Sequence, residues 1–246
     1  MESLHSVKNK VILVTGASSG IGKEIALQLD KENSSVIITG RNKERLYETR
    51  DKLSYRFGTP AETYVCDLSK EEEIQKLVDS LPQLDGVVFC AGVVDYVPIK
   101  FLNLEKIKDT FDVNFISQVL LTQQLMKKKK LKSNSSLVYI SSISSKLGII
   151  GTSMYASSKS ALNSFVKVAA TELASQSIRA NSICPGVVVT PMGEKALESG
   201  ADIEKDYPLG LGTPLDVANL CLYLLSDSSR WQTGTEIILD GGLTLK

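Results

Sequence analysis

From one end of the chain to the other, short apolar runs rich in β-branched residues alternate with longer stretches in which apolar positions recur at helical spacing. The runs predict strands over Val11–Thr15, Ser35–Thr39, Glu62–Cys66, Gly86–Cys90, Leu137–Ser141, Arg179–Cys184 and Glu236–Leu239. The intervening patterns predict helices near Gly20–Lys31, Lys43–Phe57, Lys70–Ser80, Leu104–Leu131, Ser153–Ser175 and Pro214–Leu225. Strands separated regularly by helical lengths imply βαβ units, and continuous apolar strands imply a parallel sheet covered on both faces. The fold class is therefore α/β: a doubly wound sheet of seven mostly parallel strands.

With 246 residues, 43% of them hydrophobic, the chain can bury a large core as one domain spanning 1–246. No linker, repeat or low-complexity tract interrupts it apart from Lys127–Lys130, which reads as the solvated end of a helix rather than a patch for an acidic partner. The segment Met192–Gly212 is polar and long for a connection in such a domain, and it is expected to be a lid over a site. Its charged residues Glu194, Lys195, Glu198, Asp202, Glu204, Lys205 and Asp206 read as solvated faces of short lid helices.

Charge and cysteine usage narrow the function. Twenty-eight basic and 28 acidic side chains cancel, so no global field favours nucleic acid or an anionic membrane. The four cysteines Cys66, Cys90, Cys184 and Cys221 are far apart, and the one histidine, His5, is near the N-terminus, which argues against a metal site. Cysteines in apolar runs read as reduced, buried thiols, and no run has the length of a signal core or membrane span. A cytoplasmic protein acting on a small molecule is expected.

The first strand runs directly into Thr15-Gly16-Ala17-Ser18-Ser19-Gly20-Ile21-Gly22, which opens the first helix. A strand, glycine turn and helix in that order bring backbone amides and a helix N-terminus to a pyrophosphate. The second strand ends without a carboxylate at its tip and is followed by Arg41, which can pair with a 2′-phosphate or stack on adenine. That favours NADP over NAD; a solvated arginine ahead of a helix is the plainer alternative. Further on, Tyr155 and Lys159 share one face of a helix, where an ammonium can favour the phenolate and bring the tyrosine toward a working pKa. Ser142 follows the fifth strand at its carboxyl end, where ligands of open parallel sheets bind.

Together these residues resemble the short-chain dehydrogenase/reductase family of the single-domain type, over essentially the whole length. The matching pieces are Thr15–Gly22, Asp67, Cys90-Ala91-Gly92, Asn114, Ser142, Tyr155 with Lys159, and Pro185-Gly186 followed by Thr190. The resemblance implies a nicotinamide-dependent oxidoreductase in which Tyr155 exchanges a proton with a substrate oxygen that Ser142 also holds. Lys159 would bind the nicotinamide ribose and depress the tyrosine's pKa, and Asn114 would hold a water of the proton relay. Gly16, Ser18, Ser19, Gly20, Ile21 and Gly22 would face the cofactor phosphates, and Arg41 the adenosine ribose. Asp67 and Leu68 would face the adenine, although Asp67 alone reads as part of a helix N-cap region before Ser69. Ala91 and Gly92 would lie along the adenosine ribose, and Pro185, Val188 and Thr190 near the nicotinamide.

One departure is Cys90, where the family more often has asparagine, whose amide supports the central strand better than a thiol can. Among family branches the chain most resembles the 3-oxoacyl-acyl-carrier-protein reductases, through Pro208-Leu209-Gly210 and Leu239-Asp240-Gly241-Gly242, but Leu211 stands where that branch usually has arginine. The expected substrate is a ketone or secondary alcohol, free or carried as an acyl thioester, against walls from Val93–Val97, Leu147–Gly151 and the lid. An NAD-dependent alcohol or sugar dehydrogenase and a non-catalytic cofactor sensor are the competing readings. The resemblance also implies a homotetramer or homodimer packed through the Leu104–Leu131 and Ser153–Ser175 helices.

Overall fold

The computed structural model describes residues 6–54, 61–194 and 203–245. Seven strands, β1 (Val11–Thr15), β2 (Ser35–Gly40), β3 (Thr63–Val65), β4 (Leu84–Phe89), β5 (Leu131–Ile140), β6 (Arg179–Pro185) and β7 (Glu236–Leu239), form one sheet in the order 3-2-1-4-5-6-7. Every pairing is parallel.

The apolar runs explain the layers. Because successive side chains point to opposite faces, Leu13 of β1 joins one core while Ile12 and Val14 join the other; Val88 of β4 and Val138 of β5 likewise oppose Phe89 and Tyr139. Helices α3 (Glu71–Ser80), α5 (Ser117–Lys127) and α6 (Ser153–Leu173) cover the first face, while α1 (Gly20–Lys31), α2 (Lys43–Arg50) and α7 (Pro214–Leu225) cover the second. The rings of Phe89 and Tyr139 stack at 4.2 Å, and the Tyr139 hydroxyl meets Thr122 Oγ1 at 2.8 Å, so the buried phenol is satisfied.

Three elements differ from expectation. The helix anticipated over Leu104–Leu131 is α4 (Leu104–Phe111), a π-turn over Asp112–Ile116, and α5, and the π-turn contains the fully buried Asn114. Strand β5 begins at Leu131 rather than Leu137, because Leu131 pairs with Leu84 across a register shift and Lys132 binds Asp85 at 2.7 Å. Helix α2 ends at Arg50, and residues 55–57 of the helix expected to reach Phe57 lie outside the described residues. His5 and the lid positions Lys195, Glu198 and Asp202 also lie outside them.

The sheet order makes β1 and β4 neighbours although they are far apart in sequence, so the connections leaving them diverge to opposite faces. Such a point opens a crevice at the carboxyl ends of the strands.

Candidate active site

A cleft of about 1420 Å³ occupies that crevice, and the connections following all seven strands contribute to its walls. Its volume exceeds the roughly 300–1,000 Å³ typical of a pocket for one small ligand, so it can accommodate a cofactor and a substrate together.

At one end lies the glycine turn. Gly16 has φ of +65°, and a Cβ there would stand 2.9 Å from the Ala91 backbone, so only glycine lets the β1 and β4 connections touch. Helix α1 begins after Ser19, whose side chain makes no capping bond, and its first turn carries no acid. Its opening amides are thus directed at the cleft beside Ser18, Gly20, Ile21 and Gly22 without a protein anion to satisfy them, which suits a bound phosphate. Thr15 Oγ1 accepts from the amides of Cys90 at 2.9 Å and Ala91 at 3.1 Å. The tie between β1 and the turn after β4 is therefore made by Thr15, and it does not depend on the side chain at position 90. Burial pushes the Cys90 thiol up to about 12, so it stays protonated.

Beyond the turn, Arg41, Asp67 and Leu68 line the cleft. Asp67 Oδ1 accepts from the Ser69 amide at 3.1 Å and its hydroxyl at 2.8 Å. Burial raises the carboxyl's pKa, but the Ser69 hydrogen bonds outweigh it and hold the group below its ordinary value. Asp67 borders the cleft and closes the turn at Ser69, while the N-cap of α3 is Lys70 rather than Asp67. Sequence reasoning missed Arg45, which lines the same end. Asn42 caps α2 by accepting from the Arg45 amide at 2.9 Å, and a spacing of four from Arg41 was the available signal.

At the other end, Ser142, Tyr155, Lys159, Pro185, Val188 and Thr190 line the cleft. Ser142 Oγ accepts from the Ser144 amide at 3.1 Å, and its hydroxyl is also hydrogen-bonded to Tyr155. Tyr155 and Lys159 are one turn apart on α6, and Lys159 Nζ donates to the Ile140 carbonyl at 2.8 Å. One of three ammonium protons is so used. Burial pushes Lys159 down to about 8 and Tyr155 up to about 12; the group that opposes the tyrosine shift is the Ser142 hydroxyl, through a hydrogen bond. The lysine anticipated from sequence as the lever on the tyrosine is held here by the Ile140 carbonyl.

Asn114 stands behind this wall and does not line the cleft. Its Oδ1 accepts from the Val93 amide at 2.8 Å, and its Nδ2 donates to the Val93 carbonyl at 2.9 Å and Ser158 Oγ at 3.1 Å. Asn114 thereby fixes the β4 connection to α6, while Ala91 and Gly92 of that connection border the cleft. A Cβ on Gly92 would lie 3.3 Å from Asn114 Oδ1 and 3.5 Å from Lys159 Nζ.

The expected substrate walls also border the cleft: Val93, Val94 and Tyr96, then Leu147–Gly151, then Met192, Asp206 and Tyr207 of the lid. The described ends of the segment expected to form a lid are both anchored. Thr190 Oγ1 accepts from the Gly193 amide at 3.0 Å, Gly212 donates to Val187 at 3.1 Å, and the Tyr207 hydroxyl accepts from the Val187 amide at 3.0 Å. Among the described residues no cluster could hold a metal, and no helix is long and apolar enough to cross a membrane.

A family model described as enoyl-(acyl carrier protein) reductase matches residues 16–244. The dehydrogenase/reductase SDR family member 6 of Aquarana catesbeiana is 33% identical over 245 residues, covering 96% of this chain and 98% of that protein. The chain belongs to the short-chain dehydrogenase/reductase family. It is accordingly an NAD(P)-dependent oxidoreductase on a Rossmann-type α/β fold. Within the family it is also similar to the 3-oxoacyl-[acyl-carrier-protein] reductase FabG of Rickettsia felis, at 33% identity over 239 residues, 96% of this chain and 97% of that one. Among solved structures, a variant of actinorhodin polyketide ketoreductase with NADPH superposes with a TM-score of 0.88 at 30% identity, covering 96% of this chain and 97% of that one.

Proposed function

We propose that this short-chain dehydrogenase/reductase reduces the carbonyl of a ketone or 3-oxoacyl thioester, with NADPH preferred to NADH. The observation that carries the reading is one continuous cleft, with Arg41 and Arg45 at one end and Ser142, Tyr155 and Lys159 at the other. Two guanidiniums and no carboxylate at the tip of β2 suit a ribose that bears a phosphate.

In this reading the turn amides from Ser18 to Gly22 would hold the pyrophosphate, with Gly16 giving room for the turn. Asp67 and Leu68 would hold the adenine, Ala91 and Gly92 the adenosine ribose, and Pro185, Val188 and Thr190 the nicotinamide. Lys159 retains two protons for ribose hydroxyls after its bond to Ile140. The cofactor, when bound, supplies the hydride. Ser142 donates to the substrate oxygen, because its own oxygen is already held by the Ser144 amide. Tyr155 gives that oxygen its proton, and a phenol pushed up to about 12 is protonated, as an acid must be, at neutral pH. Asn114 holds the wall in register by tying Val93 to Ser158.

The similarity to FabG supports an acyl-carrier-borne substrate as one form of this reading. The lysine run Lys127–Lys130 does not serve it, since it precedes β5 at the amino end of the strands, opposite the cleft, and Lys128 is paired with Asp79 at 2.8 Å. For assembly, the exposed Ile116 beside α5 and Val168 on α6 support packing against a second copy through these helices.

The test is a panel of cyclic and linear ketones and acetoacetyl thioesters, with NADPH or NADH, followed as loss of reduced-nicotinamide absorbance. Turnover with a ketone and NADPH is expected. Oxidation of alcohols with NAD and no ketone reduction would overturn the proposal, as would cofactor binding without turnover across the panel.

A further inference from the structure

Behind Ser142, on the side away from the cleft, a polar network links the turn after β5 to α6 and β7. Residues Ile143–Ser145 form one turn of 3-10 helix capped by Ser142. Ser145 Oγ donates to the Ser142 carbonyl at 2.7 Å and accepts from Asn163 Nδ2 at 3.0 Å. Asn163 Nδ2 also donates to Glu236 Oε2 at 2.9 Å. Glu236, the first residue of β7, is nearly buried and is paired with both Lys146 and Lys167. Burial alone would raise its pKa, but the two lysines hold it below its ordinary value, so the carboxylate is charged.

The placement is specific. Tyr155, Lys159 and Asn163 follow one another at intervals of four on α6, so all three occupy the same face. Lys146 directly follows the turn that Ser142 caps. Glu236 therefore grips the turn by its far end, through Lys146, and grips the tyrosine helix through Asn163 and Lys167. A carboxylate with one pair of oxygens thus joins the element carrying Ser142 to the element carrying Tyr155.

We infer that Glu236 and Asn163 are positioning residues that set the separation of the Ser142 and Tyr155 hydroxyls. This rests on the proposed role of those hydroxyls as joint donors to a substrate oxygen. Two hydroxyls that must converge on one atom are sensitive to displacement by a fraction of an ångström, and the cofactor end of the cleft is not. Ser145, Lys146, Asn163, Lys167 and Glu236 do not line the cleft, whereas Ser142 does, so the network acts through Ser142.

The test is a double-mutant cycle between Glu236→Gln and Ser142→Ala, with the N-acetylcysteamine thioester of acetoacetate and NADPH. Glu236→Gln should lower kcat by roughly ten- to a hundredfold and leave the Kd of NADPH within about twofold. In the Ser142→Ala background the same change should have little further effect on kcat. An equal loss in both backgrounds, or none in either, overturns the inference. Full kcat in Ser142→Ala alone would instead overturn the role of Ser142. Lys146→Met, at a half-exposed position, repeats the test if Glu236→Gln does not fold. If the probe is not turned over, faster hydrogen exchange confined to residues 142–147 in Glu236→Gln is expected, and unchanged exchange there overturns the inference.

Discussion

The ammonium of Lys159 lies 5.9 Å from the centroid of the Tyr155 ring, one turn along the same helix. It is held there by the Ile140 carbonyl, not by the phenol. Burial disfavours the charged form of each, moving the lysine down to about 8 and the tyrosine up to about 12. Near neutral pH the pair is therefore a protonated acid beside an ammonium, the state in which a carbonyl can be protonated.

The titration of this pair has a definite sign. As pH rises through about 8 the Lys159 ammonium loses its charge while Tyr155 keeps its proton. Reduction measured as kcat/KM for NADPH should fall above pH 8, and Lys159→Arg, if it retains turnover, should move that limb upward because a guanidinium stays charged. A profile flat to pH 10 would separate Lys159 from the reaction.

Tyr155→Phe should remove the proton donor and little else. A loss of roughly 10²–10⁴-fold in kcat is expected, with the Kd of NADPH, read by fluorescence, changed by less than about twofold. Substantial turnover in that variant would be incompatible with the proposed mechanism.

The adenosine end should discriminate by charge. Arg41→Ala and Arg45→Ala should each raise KM for NADPH several-fold, about 1 kcal/mol per charge-assisted contact, and leave KM for NADH nearly unchanged. Equal effects on the two cofactors would assign these arginines to the solvated surface.

Thr15→Val tests the joint between β1 and β4. The change keeps the shape but leaves the Cys90 and Ala91 amides without their acceptor. A loss of about 1–3 kcal/mol for each orphaned amide is expected, seen as a lower urea midpoint at unchanged slope. Stability equal to that of the parent would show that the amides find another partner.

The sheet was legible because its strands are buried on both faces and therefore read as unbroken apolar runs, as Val11–Thr15 and Leu137–Ile140 do. The first half of β5 was not, because Ser133, Asn134 and Ser135 offer no such run, and its pairing with β4 depends on Leu84 and Asp85 far away in sequence. The π-turn at Asp112–Ile116 carries no compositional mark, since an extra residue per turn alters no apolar spacing long enough to notice. Site residues on the turns after strands were legible through motif order, and the structure brings all of them except Asn114 to the cleft wall. Arg45 was within reach of the helical spacing from Arg41. Glu236 was not, because its value lies in Asn163, 73 residues away along the chain, and a charge opening a strand otherwise reads as solvent-facing.

The order of the strands divides the cleft between two halves of the chain. The turns that follow β1, β2 and β3 form the end with the glycine turn and Arg41, whereas Tyr96, Ile149, Ile150 and Met192, all substantially exposed, stand on the connections after β4, β5 and β6. Because Gly16 meets Ala91 and Gly20 meets Thr190, it is these rim positions, rather than whole loops, that can be exchanged for those of a relative with the glycine turn and Arg41 left in place. Such a chimera would be an enzyme of altered appetite fed by the same reductant, which makes the scaffold a natural host for directed recombination.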